Sequence, residues 1–63
     1  MTNKDLDYVK DAFNWNLNAY KTVEGIICNI TKNDLKNNLK TSLKVYYDNM
    51  NLLLKLLKEE ING

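Results

Sequence analysis

The chain has 63 residues, nine of them Lys against eight acidic residues, for a net charge of +1, with no Arg, His or Pro, one Cys and two Gly. A single domain is all this length supports, and so short a chain buries only about 60% of the surface its unfolded form exposes, leaving a marginal core without a staple. One cysteine excludes an internal disulfide, the lack of His leaves no recognisable zinc site, and oligomerisation is the staple that remains.

An apolar content of 44% is too high for a disordered tail. The near-neutral charge argues against a protein whose main task is gripping nucleic acid, although a local patch is still compatible with it. Eleven Asn and an all-Lys basic set read as AT-rich coding bias, which weakens any functional reading of a single Lys or Asn. Residues 1–7 contain no apolar segment of the kind a signal peptide needs, and the longest apolar run, residues 52–54, is far short of a membrane span. The expected setting is cytoplasmic, with no membrane partner and Cys28 reduced.

The first helix is predicted over about residues 3–29. Thr2 with Asp5 three positions on forms a capping box with Asp in place of Glu, and Asp5 and Asp7 suit the positive end of the helix dipole. Leu6, Val9, Phe13, Asn16, Tyr20, Val23, Ile27 and Ile30 then follow at spacings of 3, 4, 3, 4, 3, 4 and 3. One residue behind this row runs a second one: Tyr8, Ala12, Trp15, Ala19, Thr22 and Ile26. A step of one residue turns about 100° around a helix, so the two rows face two different neighbours. The only possible break is Gly25, which either kinks the helix or ends it early.

The same start signal recurs at Thr31-Lys32-Asn33-Asp34, where Thr31 is expected to cap the backbone N–H of residue 34 and Asp34 to reach back. A second helix is predicted over about residues 32–60, and the short link makes the two helices antiparallel neighbours. Its seam row is Leu35, Leu39, Leu43, Tyr46, Met50, Leu53 and Leu57. Toward its end Leu52, Leu53, Leu54, Leu56 and Leu57 cover more of the circumference than one partner helix can shield. The last residues, 59–63, are expected to fray.

Folding the hairpin about Thr31 brings residues whose numbers sum to about 62 level with one another. Val9 meets Leu53, Val23 meets Leu39 and Ile27 meets Leu35. The middle is polar, with Asn16 level with Tyr46, Tyr20 with Ser42 and Phe13 with Asn49. In helical bundles this depth is where cofactor sites are built, but a di-iron site needs inward Glu and Glu-x-x-His, and no His is present. The polar layer therefore reads as a register device, a buried Asn16 paired with a tyrosine hydroxyl.

The fold class expected is all-α, an antiparallel helical hairpin (residues 1–63, one domain) that dimerises into a four-helix bundle. The candidate partner-binding residues are Tyr8, Ala12, Trp15, Ala19, Ile26, Leu52 and Leu56. Lys32, Lys36, Lys40 and Lys44, four apart, form a ridge about 6 Å from step to step; it reads first as a solvated face, and as a candidate phosphate-binding ridge for RNA, DNA or an anionic membrane in the alternative. Cys28 has no His to act as its base and reads as a small apolar residue. No nucleophile–base set, inward carboxylate pair or Gly-rich phosphate loop is found, so the expectation is a protein without enzymatic activity, metal or cofactor. The leading reading is a structural or protein-interaction module working as a homodimer. The alternatives are a small regulator binding nucleic acid through the lysine ridge, and a small inhibitor docking on another protein.

The stretch from Asp7-Tyr8-Val9 to Leu53 also resembles the helical-hairpin unit of spore coat F-like proteins. The matching residues are Asn18-Ala19-Tyr20, Glu24, the run Ile30-Thr31-Lys32-Asn33-Asp34-Leu35-Lys36-Asn37-Asn38-Leu39, and Tyr47-Asp48-Asn49-Met50. Lys32 stands where that family usually has Pro. The resemblance implies a ferritin-like, metal-free hairpin and a role in bacterial spores.

Overall fold

The structure, a computed structural model, describes the backbone of residues 1–62 and the side chains of residues 1–60. Two helices, α1 (Asn3–Ile27) and α2 (Asn33–Asn62), are joined by residues 28–32 into an antiparallel hairpin of 46 × 16 × 11 Å. The long dimension is that of the helices themselves, since 30 residues at about 1.5 Å each span about 45 Å. At the open end the Met1 ammonium donates to the Glu60 carboxylate at 2.7 Å, closing one helix start against the other helix's last turns. α2 runs on to Asn62, past the expected boundary near residue 60, and Gly63 lies outside the described residues.

The capping box at the start of α1 forms as the sequence predicts. The Asp5 N–H donates to the Thr2 hydroxyl at 3.0 Å, and the Thr2 N–H donates to the Asp5 carboxylate at 3.1 Å. Two N–H groups that have no partner inside the helix are thereby satisfied. The hydrogen bonds from Thr2 hold the Asp5 carboxyl below its ordinary value.

α1 passes through Gly25 without ending and stops at Ile27, two residues short of the expected boundary. It unwinds by tightening: the Asn29 and Ile30 N–H groups donate to the Ile26 and Ile27 carbonyls at 2.9 and 3.2 Å, three-residue turns of 3₁₀ type. Cys28, the cap residue, keeps right-handed helical angles, and no described residue has positive φ. The helix therefore ends without the left-handed glycine that usually closes one.

The second capping box does not form. The first helical bond of α2 runs from the Lys36 N–H to the Lys32 carbonyl at 3.0 Å, so Lys32 rather than Thr31 takes the cap position. Neither Thr31 nor Asp34 makes a side-chain hydrogen bond among the described residues. The hydroxyl is one residue too early to reach the amides it was expected to satisfy.

Along α1 the seam follows the predicted row without exception: Leu6, Val9, Phe13, Asn16, Tyr20, Val23 and Ile27 are half-buried or buried, as is Ile30 in the link. On α2 the seam is Lys36, Leu39, Leu43, Tyr46, Met50, Leu53 and Leu57. Leu35, expected there, is 47% exposed. The correction has a simple cause: the 3,4 alternation set by Leu39 and Leu43 continues backwards to residue 36, so Lys36 lays its stem in the seam and Leu35 is turned to one side.

Two expected outcomes follow. A Cβ built on Gly25 meets nothing within 4 Å, so Gly25→Ala should stabilise the hairpin by about 0.5–1 kcal/mol, read as a higher urea midpoint. The Asp5 carboxyl is held low in the folded chain, so its contribution is present above the ordinary value of 3.8 and is lost as pH falls through the depressed value. Acid titration by circular dichroism should show this loss in the wild type, and Asp5→Asn should flatten it; parallel curves would remove the capping box as its source.

Candidate functional site

Seven-residue labels make the geometry of the two surfaces explicit. Let a and d be the seam positions: Leu6, Phe13, Tyr20 and Ile27 are a and Val9, Asn16 and Val23 are d in α1. In α2, Lys36, Leu43, Met50 and Leu57 are a, and Leu39, Tyr46 and Leu53 are d. Position g, backed by c, flanks one edge of the seam, and e, backed by b, flanks the other. Because the helices run in opposite directions, the g rows of both lie along the same edge and the e rows along the opposite one. Contacts across the hairpin agree with this assignment. Asn49, at g, donates to Asn16, and Trp15, at c, packs edge-on against Tyr46 with ring centroids 6.2 Å apart and planes at 79°.

On the g and c positions the helices place Tyr8, Ala12, Trp15, Ala19, Thr22 and Ile26 from α1 beside Leu35, Asn38, Ser42, Val45, Asn49, Leu52 and Leu56 from α2. Trp15 is 66% exposed, and Tyr8, Ile26, Leu35, Val45, Leu52 and Leu56 are exposed with it. Ala12 is exposed and Ala19 half-buried. All seven candidate partner-binding residues thus fall on one face. The sequence reading missed that Leu35 and Val45 belong there too. The signal was available: both sit on the same heptad edge as Leu52 and Leu56. This face carries no lysine from either helix. Its charged members are Asp5 at the start of α1 and Glu59 near the end of α2, both toward the open end of the hairpin.

The middle of the face is low. Its g positions are Ala12, Ala19, Ser42 and Asn49, and Ser42 turns its hydroxyl back to its own helix, donating to the Asn38 carbonyl at 3.4 Å. Taller residues stand outside them, Tyr8 and Trp15 on α1 and Val45 and Leu52 on α2.

The polar layer lies in the seam beneath. Asn16, 7% exposed, donates from Nδ2 to the Ala12 carbonyl at 2.7 Å and accepts at Oδ1 from the Asn49 amide at 3.2 Å. The expected partner was a tyrosine hydroxyl; the amide of Asn49 takes that place by reaching diagonally across the seam from the level of Phe13. Tyr46 instead gives its ring to Trp15. No buried side-chain polar atom among the described residues lacks a partner.

The lysine ridge does not stay on one side of α2. A four-residue step advances about 40° around a helix, so Lys32 lies in the link, Lys36 at the seam, Lys40 at e and Lys44 at b. The face they enter, opposite the apolar one, also holds Lys10 and Lys21 of α1 and Lys58 of α2, with Leu17, Tyr47 and Leu54 between them and Asp7 and Glu24 as its carboxylates. Among the described residues no lysine lies within ion-pair distance of a carboxylate.

Cys28 is exposed, its thiol turned to the Glu24 carbonyl at 3.5 Å. No pocket opens among the described residues, and no three His, Cys, Asp or Glu side chains are grouped to hold a metal. No described helix is long and apolar enough to cross a membrane. Comparison with protein-family models, with curated proteins and with solved structures found no match.

The Asn16–Asn49 pair sets a test of the polar layer. Asn16→Leu should stabilise the hairpin by about 1 kcal/mol, because apolar area replaces one modest hydrogen bond, while Asn16→Asp should lower the urea midpoint by placing a carboxylate beside the Ala12 carbonyl. Equal midpoints for all three chains would mean that the layer carries no energetic weight.

Proposed function

We propose that this protein is a non-catalytic interaction module that works as a homodimer, two hairpins closing their g/c faces on each other into a four-helix bundle. One observation carries the reading: the hairpin alone encloses almost nothing. Among the described residues Met50, 8% exposed, is the single buried apolar residue, no side chain is fully buried, and ten large apolar residues are exposed.

Surface area supports a second copy as the occupant. The hairpin exposes 4972 Å², against about 4,200 Å² for an ordinary folded monomer of its mass. Two copies brought to the surface usual for their combined mass would bury about 3,000 Å², which is the range of obligate homodimers. The form of the face agrees. The tall Trp15 of one hairpin stands beside a low strip of Ala12, Ala19, Ser42 and Asn49, and a two-fold axis offers the same strip to each copy. Each large side chain removed from water contributes about 1.5–3 kcal/mol, a large share of the stability of a small domain. The resemblance of residues 7–53 to the spore coat F-like hairpin points the same way, toward a structural assembly, and rests on sequence alone.

Light scattering after gel filtration checks the reading. The wild type should have twice the 7.4 kDa mass of the chain, with Trp15 emission shifted to the blue of a water-exposed indole. Trp15→Glu and Leu52→Glu, one on each helix, should each abolish that mass. A wild-type chain that stays monomeric, or variants that keep the dimer mass, would overturn it.

A further inference from the structure

We propose that the opposite, e/b face binds single-stranded nucleic acid, with Tyr47 as the platform on which a base stacks and the surrounding lysines holding phosphates. This does not depend on the homodimer, because the two faces lie on opposite edges of the seam and closing one leaves the other in solvent.

Charge placement is the first support. Five exposed lysines, Lys10, Lys21, Lys40, Lys44 and Lys58, share the face with two carboxylates, Asp7 and Glu24, while the g/c face has no lysine at all. A net charge of +1 hides this separation. Among the described residues these ammonium groups are not neutralised by ion pairs, so they remain available to phosphates, and releasing the counterions condensed on a strand would drive association.

Tyr47 is the second and independent support. Tyr47 is 55% exposed, and its ring has no aromatic neighbour among the described residues, where Trp15–Tyr46 is the pair that forms. Lys44 and Lys40 precede it by one and two turns on the same helix. On α1 the e position nearest its level is Leu17, with Lys10 and Lys21 on either side of Leu17 along that helix. An aromatic ring set among cations is the arrangement that holds unpaired bases without reading them, since every base has a stacking face. Lysine suits this role: it meets phosphate as a point charge and lacks the fork with which arginine reads a base edge. A paired helix would offer Tyr47 no free base face, which is why the strand is single. A lipid surface fits less well, because insertion needs a broad apolar stripe, and here Leu17 is half-buried and Leu54 is the one exposed aliphatic side chain among the described residues of the face.

The test is a titration of a labelled single-stranded oligonucleotide, in DNA and RNA form, at about 50 and about 200 mM salt. The wild type should bind at the lower salt and weaken steeply at the higher. Lys40→Gln with Lys44→Gln should weaken binding and lower the salt slope by roughly 0.7 per lost phosphate contact. Tyr47→Ala should weaken it by about tenfold with the salt slope unchanged. Lys4→Gln with Lys55→Gln, on the outer sides of the helices, should leave affinity within about twofold. All of these positions are exposed, so the helical signal should be retained. No binding at the lower salt, loss shared equally by the outer-lysine variant, a silent Tyr47→Ala, or uptake by vesicles of anionic lipid without oligonucleotide binding would each overturn the proposal.

Discussion

Two helices can shield only what lies on the line where they touch. Each surrounds itself with side chains on all sides, and a single neighbour removes from water a strip one or two residues wide. In this hairpin the strip is the a/d seam, and even there burial is partial: Asn16 and Met50 alone are buried, while Phe13, Tyr20 and the seam leucines are half-buried. The elongated outline, with a radius of gyration of 14.6 Å against about 10.6 Å for a compact chain of this length, is the same fact seen from outside. A third layer cannot come from within a chain whose two helices account for nearly all of its residues. The exposed Trp15, Tyr8, Leu52 and Leu56 are therefore a consequence of architecture before they are a feature of function.

The middle of the seam adds a second constraint. Asn16 and Asn49 exchange a hydrogen bond where a fully apolar hairpin would place leucine, and Asn16 is tied to its own helix through the Ala12 carbonyl. Apolar contacts tolerate sliding, since one leucine replaces another after a step of seven residues. An amide pair has one partner at one level, and any slip leaves a buried donor or acceptor unpaired. The polar layer thus gives up some stability for a defined alignment. The g positions directly above it are small, so the place that fixes the register is also the place where another helix can approach most closely.

Antiparallel pairing also sorts the surface. Reversing one helix puts like edges together, so two sequences that are each mixed around their circumference produce one face free of lysine and another with five. The sorting is cooperative between helices: Tyr8, Ala12, Trp15 and Ala19 would make an incomplete stripe without Val45, Leu52 and Leu56 beside them, and Lys40 and Lys44 a short run without Lys10 and Lys21. Gly25, Asp11 and Asp48 fall on the outer sides, away from both faces.

Much of this was legible in the residues. The helices follow from long 3,4 apolar spacing with no proline, the start of α1 from Thr2 and Asp5, and the α1 seam from its own periodicity, because each depends on groups a few positions apart in the chain. The lack of a fully enclosed core also follows from length and from the number of helices. Where local rules misled, a neighbour or a phase decided instead. Leu35 has the composition of a seam residue, but its phase is set by Leu39 and Leu43, and Thr31 has the chemistry of a cap one residue before the cap position. The sequence could not pair Asn16 with Asn49 rather than Tyr46, or set the edge of Trp15 on α1 beside the edge of Leu35 and Val45 on α2. Periodicity gives each residue an angle about its own helix axis. The partner across the seam and the shared edge depend on the direction and stagger of the second helix, and only the packed hairpin supplies those.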